Sequence, residues 1–342
     1  MSDALKCLVW DLDHTLWDGV LLEDPEVRLR PGAAETVHAL DERGILQSIA
    51  SRNDREAALT RLSELGLVEY FLYPQIHWNS KSASVEAIAK ALNIGIDSLA
   101  LVDDDPFERG QVQRAHPSVA CFDASDLGSL IALPELSPVH VTADARSRRS
   151  MVLADIERNK AQEAFEGPEH EYLATLGMIL TIAPAQPADL DRAGELMVRT
   201  HQLNTTGYAY SKDELAALLS SSRHLVLMAS LEDRYGTYGK IGLALVETGS
   251  DAWTIKLLLM SCRVASRGVG SLMLNHIRQM ARQRQVRLLA EFVPNERNRQ
   301  MYITFRLAGF KEIPAPGAPV LLEDFLQQAP PPPEYVTIVT PA

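Results

Sequence analysis

The sequence predicts an α/β protein of two domains, the first built on a doubly wound parallel sheet and the second a separate α/β unit. Three observations lead there. At 342 residues the chain is long enough for two cores. Short apolar runs alternate with helical stretches through the first half, as parallel sheets require. A charged segment at residues 142–166 then gives way to a fresh core starting near Glu171. The expected boundaries are 1–140 for the first domain, 141–170 for a bridging helix, 171–314 for the second domain and 315–342 for a proline-rich tail.

Residues 6–10 open the first domain as an apolar run suited to a buried strand, which ends at Asp11-Leu12-Asp13. A polar turn with Trp17, Gly19 and Asp24-Pro25 follows. Pro31 lies near the start of a helical stretch at 33–43, and Gly44 suits its C-cap. Residues 45–50 form a second buried strand that ends at Ser51-Arg52-Asn53-Asp54. A helix from 56 to 65 closes at Gly66. Further on, 71–73 predicts a short strand, 82–92 a helix, and 98–102 an apolar strand stopping at Asp103-Asp104-Asp105-Pro106. A helix at 108–114 and a strand at 119–122 complete the alternation.

Residues two apart on a strand share a face, so Asp11 and Asp13 fall side by side at a strand's C-terminal end. Open parallel sheets bind ligands there. Two crowded carboxylates need a cation or a shared proton, which points to a magnesium-dependent site for phosphate. Ser51, Asp103 and Asp104 stand at other strand ends, and Lys81 precedes a helix. Singly, Ser51 or Asn53 suits a helix cap, Lys81 a solvated surface, and 103–105 an acidic turn.

In this order the residues resemble the four motifs of the haloacid-dehalogenase-like phosphatases. The resemblance implies that Asp11 is the nucleophile that becomes an aspartyl-phosphate and that Asp13 is the general acid and base. It implies phosphoryl binding by Ser51 and Lys81, and Mg2+ held by Asp11, Asp13 through its backbone carbonyl, Asp103 and Asp104. The chemistry agrees: attack by a carboxylate needs neutralised charge, and the leaving oxygen needs a proton. His14 has no catalytic role in this reading. The intervals between the first three motifs are too short for a large cap, so the site is open to a phosphate on a bulky carrier.

A balance of 33 basic and 45 acidic residues, −12 in all, argues against nucleic acid or an anionic membrane as the main partner. No signal segment or membrane-length apolar run is present. Cys7, Cys121 and Cys262 have no CxxC spacing, which argues against a disulfide framework or a zinc site. These features predict a cytoplasmic protein.

Residues 142–166 read as one long exposed helix, either a plain connector or an arginine-bearing docking surface. Beyond it, strands are expected at 178–182, 224–230, 238–247, 253–262 and 286–292, with helices at 188–200, from about 271 to 284, and after Asn298 up to Gly309. A long strand entering the Arg/Gly loop at 263–271 resembles the Gcn5-related acetyltransferase fold, supported by Asn295, Asn298, Tyr302 and the run 306–310. That fold implies Arg263, Arg267, Gly268 and Gly270 as ligands of a pantetheine or phosphate. Ala265 departs from the usual acetyl-CoA loop, which carries Arg or Gln there.

Cys262 ends the long strand beside Arg263 and ahead of a helix N-terminus. Both neighbours favour a thiolate able to accept an acyl group, the alternative being a small core residue. Cys7 and Cys121 lie in apolar runs and read as buried and inert.

Residues 10–22, 51–54, 103–106, 199–204 and 260–264 together resemble the FkbH-like proteins, over about residues 5–314. The resemblance implies a bifunctional glyceryltransferase and phosphatase of polyketide assembly. Such proteins load the three-carbon unit of 1,3-bisphosphoglycerate onto a phosphopantetheinylated acyl carrier protein and remove phosphate. Cys262 would carry the acyl group as a thioester, with His201 and Gln202 either orienting it or structural. Two other readings stay open: an acetyl-CoA-dependent acetyltransferase, or a second domain that only docks a carrier protein. The tail, with Pro330–Pro333, is expected to be a loose extension.

Overall fold

The computed structural model describes residues 5–24, 26–138, 141–200, 202–267, 269–314, 317, 319–325 and 330–341, without the side chains of residues 126, 262, 265 and 266. The chain divides into two units, 1–156 and 157–342. Among the described residues, no helix is long and apolar enough to cross a membrane.

In the first unit β1 (Cys7–Trp10) leads through a small hairpin, β2 (Trp17–Asp18) and β3 (Arg28–Leu29), to α1 (Ala33–Glu42) and β4 (Leu46–Ser51). Then come α2 (Arg55–Glu64), β5 (Gln75–Ile76), α3 (Lys81–Leu92), β6 (Leu99–Asp103), α4 (Pro106–Ala115), β7 (Ala120–Asp123) and α5 (Leu127–Leu130). The sheet is parallel throughout, in the order β5-β4-β1-β6-β7. The chain winds from β1 to one edge and then crosses to the other, so the topological switch point lies between β1 and β6.

Strand alternation builds the two core layers: Leu8 and Trp10 join one cluster, Cys7 and Val9 the opposite one. The indole N–H of buried Trp10 donates to Gln47 Oε1 at 3.1 Å, and Gln47 Nε2 donates to the Val37 carbonyl at 2.9 Å. No polar atom of this pair is stranded, as burial demands.

Two sequence expectations change here. Residues 71–73 do not form the edge strand; Phe71 makes one isolated bridge to Gln47, and pairing resumes at β5. Tyr73 takes a left-handed φ of 49° and Pro74 lacks an N–H, which together interrupt the ladder. Residues 142–166 are not one exposed connector either. They form α6 (Ala143–Arg146) and α7 (Arg148–Glu163), with Arg148, Met151 and Arg158 buried. Within the first unit Arg149 bonds Asp41 at 2.9 Å and stacks 4.4 Å over Tyr70. Within the second, Arg158 pairs with Asp233 at 2.7 Å and stacks 3.9 Å over Tyr238. Arginine–carboxylate pairs with aromatic stacking anchor a helix that composition alone reads as solvated.

The second unit adds α8 (Glu169–Leu176), β8 (Met178–Pro184), α9 (Leu190–Arg199), α10 (Lys212–Leu219), β9 (His224–Asp233), β10 (Gly236–Thr248) and β11 (Ala252–Met260). It continues with α11 (Gly270–Gln283), β12 (Arg287–Phe292), α12 (Arg299–Leu307), β13 (Phe310–Ile313), β14 (Val320–Asp324) and β15 (Val336–Val339). Helix α10 was not read from the sequence, although Ser211 and Glu214 form a capping box at its start.

The sheet order is β13-β14-β12-β11-β10-β9-β8-β15. The tail is therefore no loose extension. β14 inserts between β12 and β13, and β15 pairs in parallel with β8. Edge strands carry unmet N–H and C=O groups, and the apolar runs 320–322 and 336–339 supply partners for them despite the prolines between. β8 to β11 form an antiparallel meander, while β11 and β12 are parallel over Ala252–Ile255 and Arg287–Ala290 alone.

Candidate active site

Three strand-to-helix turns bring the first-domain residues together. Each turn ends in an N-cap that starts the next helix: Asp54 accepts from Ala57 N–H, Ser80 from Ala83 N–H, and Asp105 from Phe107 N–H ahead of Pro106. Capping fixes where each helix begins. It thereby holds Ser51, Lys81 and Asp103 at the C-terminal edge of the sheet. Asp11 joins them by continuing the β1 ladder, its N–H donating to the Val102 carbonyl at 3.0 Å.

Lys81 is the hub. Its Nζ lies 3.0 Å from Asp11 Oδ2, 2.5 Å from Asp103 Oδ2 and 2.5 Å from Glu108 Oε2, with only 5% of the residue exposed. Arg52 meets the other oxygen of Glu108 at 2.9 Å. Burial alone would push the ammonium down, but Asp11 and Asp103 hold it above the usual lysine range. Burial pushes Asp11 up to about 7, with Lys81 opposing and Asp103 adding to the rise. Asp103 is also raised by burial against the pull of Lys81. One ammonium does not satisfy this many carboxylates.

Carboxylate oxygens of Asp11, Asp103 and Asp104 all lie within 4.8 Å of one another, the one such cluster among the described residues. An all-oxygen, anionic donor set of this kind fits a hard divalent cation. Thr15 orients Asp104, its hydroxyl donating to Oδ1 at 3.2 Å and accepting from the Asp104 N–H at 3.0 Å.

Asp13 stands apart from that cluster by its side chain. Its Oδ1 accepts from the Trp17 indole at 2.7 Å and the Leu21 N–H at 3.1 Å, and its Oδ2 accepts from Asn53 Nδ2 at 3.0 Å. Trp17 and Asn53 thus position the second aspartate, and Glu108 with Arg52 positions Lys81. None of these contacts was read from the sequence. An acidic residue in the first turn of the helix that follows an acidic strand end was the available signal for Glu108. Ser51 closes β4 and is buried, and His14 is exposed with a left-handed φ of 54°.

Of the acyl-transfer candidates, His201, Gly268 and the Cys262 side chain lie outside the described residues. Gln202 is exposed. Arg263 Nη2 donates to the Tyr238 carbonyl at 2.9 Å. Arg267 is 4% exposed and donates to Gln162 Oε1 at 3.3 Å, so it is engaged inside the unit. Gly270 opens α11 beside a cleft of about 420 Å³ lined by Ser271, Asn275, Gln300, Thr304 and Leu307. Cys7 is fully buried, its thiol pushed up by desolvation, whereas Cys121 is only half-buried.

No family model matches the chain, and no curated protein matches it. Among solved structures, the N-terminal part of a Bacteroides fragilis protein containing a phosphatase domain, complexed with Mg, is 29% identical with a TM-score of 0.34. That match covers 38% of this chain and 39% of the other. The ribosomal-protein-S18-alanine N-acetyltransferase of Escherichia coli is 18% identical over 42% of this chain and 92% of its own, with a TM-score of 0.34. The PaiA N-acetyltransferase of Thermoplasma acidophilum, in complex with coenzyme A, is 14% identical over 42% and 98%, also at 0.34. These overlays are partial, and the strand orders carry the fold. A doubly wound parallel α/β unit precedes a second α/β unit with a mixed, mostly antiparallel sheet.

Proposed function

We propose that the protein is a bifunctional glyceryltransferase and phosphatase of the FkbH-like kind, acting in the cytoplasm on 1,3-bisphosphoglycerate and an acyl carrier protein. The carrying observation is the contact of Lys81 with both Asp11 and Asp103 at the switch point of the parallel sheet, beside the third carboxylate, Asp104. That arrangement suits phosphoryl transfer to a carboxylate.

Asp11 attacks phosphorus, and the bond from phosphorus to the leaving oxygen breaks as Asp13 gives that oxygen a proton. Asp13 then takes a proton from water, whose oxygen attacks the aspartyl-phosphate and releases inorganic phosphate. Lys81 and Ser51 hold the transferring group, and Lys81 offsets charge that builds on its oxygens. Asp11, Asp103 and Asp104, with the Asp13 carbonyl, would hold Mg2+, which neutralises phosphoryl charge when bound.

In the second unit the Cys262 thiolate attacks the carbonyl carbon of the acyl phosphate and expels phosphate. The thiol of the carrier's phosphopantetheine then displaces Cys262 from the thioester. The phosphatase site supports this reading, because among the described residues of the first unit no cap is inserted that would close over a substrate held on a carrier.

Intact-mass spectrometry of protein, magnesium, 1,3-bisphosphoglycerate and phosphopantetheinylated carrier protein tests the proposal. Glyceryl-carrier protein is expected from the native enzyme and phosphoglyceryl-carrier protein from Asp11→Asn. Loading at the native rate by Cys262→Ala would remove the thiolate from the scheme.

A further inference from the structure

The parting strands of the second unit hold a piece of the unit's own chain. β11 and β12 pair only as far as Ile255 and Ala290, yet β11 runs on to Met260 and β12 to Phe292. Divergence strips β11 of backbone partners along one edge, and buried backbone groups left unmet are costly.

Residues 203–205 fill the gap. Met260 N–H donates to the Leu203 carbonyl at 3.0 Å, and Thr205 N–H donates to the Leu258 carbonyl at 3.0 Å. Leu258 N–H donates to Thr205 Oγ1 at 3.0 Å. On the opposite wall, Val293 N–H donates to the Thr205 carbonyl at 3.0 Å. Asn298 locks the arrangement, its Nδ2 reaching the carbonyls of Val293 at 2.9 Å, Asn204 at 3.1 Å and Thr205 at 3.4 Å. Thr205 and Asn298 are both 0% exposed.

Acetyltransferase-like folds imply acetyl-CoA, and this notch does not fit it. A pantetheine arm carries two amides, which bind protein backbone best by adding to a free strand edge. The groups such an arm needs, at Leu258 and Met260, are already bonded. Residues Cys262–Arg267 are wound into a 3-10 segment, which spends N–H groups on its own carbonyls, and Arg267 is buried against Gln162.

We infer that residues 203–205 are a built-in strand standing where a pantetheine arm would lie, with Asn298 as its latch, and that they make the second unit refuse CoA and acetyl-CoA along β11. The segment determines specificity: an acyl phosphate, which has no pantetheine, makes no demand on this edge. A carrier protein's arm would present its thiol from outside the notch. The inference does not depend on the loading reaction, which is measured separately by mass.

Amide hydrogen exchange on the full-length chain, with and without about 1 mM acetyl-CoA, tests it. The Thr205, Leu258 and Met260 amides are expected to be strongly protected and unchanged by acetyl-CoA. Calorimetric binding that leaves those amides unchanged would place the ligand elsewhere and keep the notch filled. Fast exchange at Thr205 in the free chain, or its release by acetyl-CoA, would overturn the inference. Asn298→Ala should raise exchange at 203–205 by about tenfold or more, the loss of buried hydrogen bonds. Unchanged exchange there would remove Asn298 as the latch.

Discussion

At the ends of β1 and β6, Asp11, Asp103 and Glu108 crowd around the single Lys81 ammonium, whereas between β11 and β12 the chain closes on itself by neutral hydrogen bonds. Both are places where a sheet leaves groups without strand partners. Backbone amides in a gap can be satisfied by another stretch of backbone, so folding alone completes the second place. Excess buried carboxylate cannot be satisfied that way; the cation and phosphoryl group of the proposed reaction would balance it. Imbalance of charge marks a working site, and balance of hydrogen bonds marks one that has been filled.

The strongest way to break this contrast is Asp11→Asn. Phosphate release from a chromogenic aryl phosphate should fall by about 10³-fold or more, since the nucleophile is lost. The same change should stabilise the metal-free fold. Burial holds Asp11 near 7, far above its ordinary 3.8, so the folded state keeps a proton that the unfolded chain has released. That penalty grows as pH rises from about 4 and is complete above about 7. Thermal melts should therefore show a gain of about 1–3 kcal/mol at pH 8 and little at pH 4. A loss of stability at pH 8 would contradict the surplus of charge.

Chelation comes next. Treatment with EDTA should lower aryl phosphate hydrolysis by about 10²-fold or more, with recovery on adding magnesium. Activity that survives chelation would refute the donor set of Asp11, Asp103 and Asp104.

Asn298→Ala should do the reverse of Asp11→Asn and cost the second unit about 2–3 kcal/mol by denaturant melts, because three carbonyls lose a buried donor. Phosphate release by the first unit should not change. The smallest effect is expected from Asn53→Ala, about a tenfold loss in kcat with KM held. Asn53 orients Asp13 and is not among the phosphate-binding candidates. A change confined to KM would show that it contacts substrate.

Much of the first site was legible in the residues. Asp11 and Asp13 stood out because a buried strand has a period of two and ends abruptly in acid. Ser51, Lys81 and Asp103 gained meaning from their order, each at a turn whose N-cap is a residue type that turns require. Trp17 and Glu108 did not: the indole reaches Asp13 only because the tight turn after β1 folds back on itself, and the carboxylate reaches Lys81 only because α4 packs beside α3. In the second unit the run 199–204 was noticed, but backbone bonds to Leu258 and Met260 leave no mark on residue type.

The sequence by itself determined the α/β class, the separation of two cores and the acidic pair that anchors the first site. Periodicity, turn residues and local charge are properties of neighbours along the chain. Only the tertiary structure decided that Glu108 meets Lys81 and Asn53 meets Asp13, that β14 and β15 complete the second sheet, and that 203–205 occupies its notch. Each depends on which strand edges and which charges meet in space, and any residue with a backbone can fill an edge.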